Sequence, residues 1–171
     1  MSPRPSLPIE QVLTLLAEAP TRIAAATRGL TDAQLGLPPA RGEWSANEVL
    51  AQIRACADVR GEPIRTIVAE VHPTFRAVNP RTWITQTDYL ELAFRPSFRA
   101  FAKQRAELLA ILGPLPRRGW SRAATVTGAG AVLERTVLFY ADWVARHERP
   151  HVEQIEEVAR TMRGRSARAV G

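Results

Sequence analysis

Two histidines one helical turn apart, His147 and His151, enclose Glu148 in the stretch WVARHERPHVEQIEEVA and spell H-E-x-x-H. On a helix that string gives a zinc peptidase two imidazole ligands on one face and a glutamate general base. Three features oppose that chemistry here. Pro150 stands between the histidines and bends a helix within the span where both rings must meet one ion. No G-x-x-H continuation follows His151, and Glu153, Glu156 and Glu157 come too soon to belong to a separate helix. No sheet is legible upstream to hold an extended peptide. A ligand pair remains, with two core histidines satisfied by hydrogen bonds as the plainer alternative.

The elements that must position the pair follow from apolar periodicity. Val137, Tyr140, Val144, His147, His151, Ile155, Val158 and Met162 recur at steps of three or four, a helical stripe. The stripe predicts that both histidines face inward and that Glu148 faces solvent. A second helix, WSANEVLAQIRACADV, offers Val49, Gln52, Cys56 and Val59 to the interior, with Gln52 and Cys56 again one turn apart. Gln52 can coordinate only through a hard amide oxygen. Cys56 can ligate as a thiolate, or it is simply a small buried hydrophobe.

Four long periodic segments are expected as helices: about 8–28, 45–71, 88–112 and 131–162. Thr31 with Gln34, and Ser45 with Glu48, form capping boxes, so Glu48 reads as a cap. A long crossover, HPTFRAVNPRTWITQT, joins the second and third helices. The expected fold is all-α, a four-helix bundle with that one crossover. It forms a single domain over 1–163, followed by a basic, disordered tail over 164–171. Pro20, Pro63, Pro96 and Pro150 each fall inside a helical segment, where each should bend it. Strand signals are weak; ATVTG is the best and is too short to anchor a sheet. His72 opens the crossover, about five turns from Gln52, and is not expected at the same ion.

Composition bounds the rest. The chain's 171 residues suit one core, and 46% apolar with 23% charged is ordinary globular usage. No apolar run is long enough to span a bilayer, and the N-terminus has no apolar signal region, so a cytoplasmic location is expected. A single cysteine excludes an internal disulfide. The net charge is +6, and all 23 basic residues but Lys103 are arginine. They are scattered, clustering only in RTMRGRSARAVG, so nucleic acid is not expected as a partner.

The two site segments together resemble the DinB/YfiT superfamily of four-helix bundles. GEWSANEVLAQI matches the family's W-S-x-x-E-x-L opening of its second helix, with Trp44, Ser45, Glu48 and Leu50 in place, and HERPHVEQI matches its H-x-x-x-H. TRGLTDAQLGLPPARGEW is similar to the loop before that helix. The resemblance implies a divalent metal, zinc or nickel, held by three histidines. In some members it also implies catalysis with a low-molecular-weight thiol, whose pKa the metal would lower. It further implies a homodimer. Where the family's first histidine is expected, this chain has Gln52. Carried over, the ligand set is Gln52, His147 and His151, weaker than three imidazoles. No catalytic residue is assigned.

Two functional readings follow. In one, the chain is a divalent-metal-dependent enzyme acting with a thiol on a small molecule, of S-transferase or hydrolase type. In the other, it is a non-catalytic binding or stress-related bundle that has lost its metal because Gln52 replaces histidine.

Overall fold

The computed structural model describes residues 4–171, so the first three residues of the expected domain lie outside it. In chain order the elements are α1 (Ile9–Thr27), α2 (Asp32–Leu35), α3 (Ala46–Ala69), β1 (Thr74–Arg76), α4 (Pro80–Ile84), α5 (Phe94–Leu112), α6 (Arg117–Trp120), β2 (Ala123–Thr127), β3 (Leu133–Thr136) and α7 (Val137–Ala169). The long helices α1, α3, α5 and α7 are the four expected from periodicity. Both capping boxes close: the Thr31 and Ser45 hydroxyls accept from Gln34 and Glu48 amides, whose side chains return the bond. Such a cap contributes about 1 kcal/mol.

α7 packs on α1 and α3, and α5 packs on the same two, so α5 and α7 face each other across the bundle. The apolar core falls into two clusters. One joins the C-terminal halves of α1 and α7 to the N-terminal halves of α3 and α5. The other joins the opposite halves with Trp120 and β2. Therefore α1 and α7 run one way, α3 and α5 the other. The crossover over 70–93 exists to bring the chain back for α5 to start beside the start of α3.

Between the two clusters lies a polar layer. Arg105 and Glu148 are buried there as an ion pair between α5 and α7. Arg105 Nη1 also donates to the Leu16 carbonyl at 2.9 Å. Pro20 explains that bond: lacking an N–H, it leaves the carbonyl four residues earlier without its helical donor, and the guanidinium supplies one.

Several expectations change. A three-stranded sheet forms, with β1 parallel and β3 antiparallel to β2, around the ATVTG segment. It is viable because β2 buries Ala124 and Val126 against the second core cluster. Gly128 has φ +80 in the β2–β3 turn and its missing Cβ admits the Arg76 side chain. The fourth helix begins at Val137, because 133–136 pairs as β3 and the Thr136 hydroxyl caps α7. The third begins at Phe94, which puts Pro96 in the first turn, where no N–H is required. The tail expected to be disordered continues as helix to Ala169, with Ser166 accepting from the Gln34 amide and Arg165 donating to the Pro39 carbonyl. Among the described residues no helix is long and apolar enough to cross a membrane.

Candidate functional site

α3 and α7 lie antiparallel along each other and bring the three expected positions to one face. The Gln52 amide donates to Cys56 Sγ at 3.4 Å. Cys56 Sγ lies 3.3 Å from His147 Nε2. The His147 and His151 rings meet edge to face, 4.8 Å between centroids. His151 Nδ1 lies 3.5 Å from the Gln154 side-chain oxygen. The sequence thus found residues that do converge, and Cys56 belongs among them.

The burial differs from the expected stripe. The innermost line of α7 runs through Val144, Glu148, Val152 and Ile155, while His147 and His151 are half-buried on the flank toward α3. At 3.6 residues per turn a step of three falls about 60° short of a full revolution, so His147, three after Val144, lies at the edge of the stripe, while Glu148, four after it, returns to the centre. Glu148 is therefore not the outward, solvated residue expected. It is buried against Arg105, with Oε1 paired and Oε2 lacking a hydrogen-bond partner among the described residues. It points to the core and not to the histidines' flank, so it cannot serve as the base of an H-E-x-x-H site.

Burial sets the protonation of the thiol and the imidazole. It pushes the Cys56 thiol up to about 11, against a smaller opposing effect from the Gln52 bond. It pushes His147 down to about 4, helped by the nearby charges of His151 and Arg60. The proton therefore sits on sulfur, and the imidazole facing it is neutral. An activated cysteine nucleophile requires the reverse, a thiolate beside an imidazolium.

Two residues complete the face and escaped the sequence reading. Trp143 stacks on His147, 4.4 Å between centroids at 19°. The Arg60 guanidinium lies 4.4 Å from the Trp143 ring centroid. Their spacing was a usable signal, since Arg60 is four residues from Cys56 and Trp143 four from His147. His72 stands elsewhere, as expected: it contacts Thr125 at 3.1 Å and Glu134 at 3.2 Å beside the sheet.

The donors present make an incomplete fit to a divalent ion. Among the described residues no three His, Cys, Asp or Glu side chains gather as a metal-binding group. The face holds two imidazoles, an amide and a protonated thiol, and Cys56 feels the charges of both Arg60 and Glu148. A tight dication site normally adds an anionic ligand or a third imidazole.

Comparison with known proteins bears on the family and the fold. The family model of the DinB superfamily matches residues 15–155. No curated protein matches the chain. Among solved structures the chain is similar to YfiT from Bacillus subtilis, described as a probable metal-dependent hydrolase with an unusual four-helix bundle topology. The two share 19% identity at a TM-score of 0.74, over 95% of this chain and 93% of the other. At that identity the likeness is one of fold.

Proposed function

The chain belongs to the DinB superfamily, and from that premise we propose that it is a small-molecule-binding bundle whose metal-ligand positions no longer close on an ion. One observation carries this reading. Gln52 Nε2, Cys56 Sγ and His147 Nε2 are engaged with one another, beside a guanidinium and with no carboxylate among them. The Cys56–His147 contact would have to break before Nε2 could take an ion, and the ion would meet a cation nearby.

The test is the metal content of untagged protein, before and after incubation with zinc or nickel, beside a His147→Ala/His151→Ala variant. The reading expects less than stoichiometric metal and no difference between the two proteins. Stoichiometric metal that disappears in the double variant would end it.

A second reading is favoured by the convergence itself. Two imidazoles one turn apart with a thiol at 3.3 Å are a costly arrangement for a mere packing face. In that reading Gln52, His147 and His151 hold zinc or nickel, and the protein acts with a low-molecular-weight thiol in S-transfer or hydrolysis. YfiT's description as a probable metal-dependent hydrolase supports it. The same metal measurement separates the two.

A further inference from the structure

Beyond Arg60, away from the histidines, lies a cavity of about 600 Å³ between the C-terminal half of α3, the crossover and α5. Phe75, Trp83, Tyr89 and Tyr140 give it aromatic walls. Asp58 braces those walls. Its carboxylate accepts from Trp83 Nε1 at 3.0 Å, from the Tyr89 hydroxyl at 2.6 Å and from the Gln104 amide. These bonds tie the crossover and α5 to α3, so the enclosure is formed before any ligand arrives.

Of the arginines in the wall, Arg65 faces Glu107 at 4.0 Å, Arg76 is exposed to solvent without an ion pair among the described residues, and Arg60 is half-buried without one. Asp58 accepts from three donors, none of them Arg60. Arg60 has its Nε buried with no hydrogen-bond partner among the described residues, and it is in none of the ion pairs. Desolvation pushes its pKa down, and no carboxylate contributes to offset that push. A guanidinium with no anion is expensive to keep half-buried, and a planar carboxylate is the partner its fork matches best. Gly61, the next residue, also lines the cavity. A Cβ there would meet nothing within 4 Å. Alanine would favour the helix by about 1 kcal/mol, so glycine keeps space at a cost in helix stability.

We propose that this cavity binds a small organic monoanion, an aromatic or branched carboxylic acid, with its carboxylate on Arg60 and its apolar body against Phe75, Trp83 and Tyr140. A monoanion fits because Arg60 is the one half-buried cation of the lining outside an ion pair, Arg76 being left to solvent. A phosphate ester would bring more negative charge toward Asp58, Glu62 and Glu107, which line the same cavity. The proposal rests on the small-molecule reading and adds the ligand class.

The experiment is calorimetric titration of the full chain with phenylacetate and with its neutral amide, phenylacetamide. Phenylacetate should bind saturably and the amide at least about tenfold more weakly, as expected when a charge-assisted bond is lost. Arg60→Met should weaken phenylacetate at least about tenfold while leaving the melting temperature unchanged or higher. Gly61→Leu, which fills the space and leaves the guanidinium, should abolish binding; if it fails to fold, Arg60→Met decides. Equal binding of acid and amide, undiminished binding by Arg60→Met, or no saturation by phenylacetate up to about 10 mM would overturn the proposal. Saturable binding that survives both variants would place the ligand elsewhere, sinking this assignment while the small-molecule reading stands. Stoichiometric metal on His147 and His151 would sink the metal-free reading and leave the cavity's ligand class unaffected.

Discussion

Glu148 and His147 are sequence neighbours on α7, and they live in opposite electrostatic circumstances. Glu148 turns into the centre of the bundle, where Arg105 answers it and the Leu16 carbonyl accepts a second bond from the guanidinium. His147 turns to the flank, where a neutral thiol meets it and Arg60 stands by without an anion. The first arrangement is structural, a buried ion pair in which only Oε2 of the Glu148 carboxylate lacks a partner among the described residues. The second has a displaced pKa, an unanswered cation and a cavity beside it, which are the marks of a surface kept for something else. One residue of rotation on a helix separates architecture from the candidate site.

The contrast breaks most visibly at Glu148. Replacing it with alanine strands Arg105 in the core, and a variant of this kind should lose about 3–5 kcal/mol in denaturant unfolding. A loss below about 1 kcal/mol would mean that the pair is not the buried bond described.

Acid should act on the other face. Unfolded histidine takes up its proton near 6.5, whereas folded His147 does so only near 4. Between those values the unfolded chain binds more protons, so the stabilisation held above pH 6.5 is lost as pH falls through 4. The loss should come to about 1–2 kcal/mol once screening of a half-buried ring is allowed for. His147→Phe should remove that component from the stability-against-pH curve, isolating it from the carboxylates. Parallel curves for the two proteins would contradict the low pKa.

The smallest effect is expected at Arg60. Because no partner is stranded, Arg60→Met should change stability by less than about 0.5 kcal/mol, or raise it. A loss as large as that at Glu148 would show that Arg60 is as structurally committed as Arg105.

Much of this was legible in the sequence. Ser45-x-x-Glu48 and Thr31-x-x-Gln34 announce helix starts through local bonds alone, and both formed. Gln52, Cys56, His147 and His151 were found because one-turn spacing on facing helices is also local information. What was missed depends on distant partners. Glu148 looked solvated because a charge on a helix is usually so, and only Arg105, 43 residues away, makes its burial tolerable. The sheet was discounted because ATVTG is short, yet β1 reaches it from across the crossover. Asp58, Trp83, Tyr89 and Gln104 share no spacing rule; the crossover's path assembles them. Pro20 was seen as a kink, while its consequence, a free Leu16 carbonyl for Arg105, lay across the bundle.

The central claim is that Gln52, where a histidine is expected, leaves the α3–α7 face unable to close on a divalent ion. Zinc titration of the wild-type chain beside a Gln52→His variant tests it most directly. The account predicts that the variant gains affinity by at least about tenfold, with the gain lost when His147 and His151 are also replaced by alanine. Equal or weaker zinc binding by Gln52→His would contradict it, because residue 52 would then lie outside the ligand set.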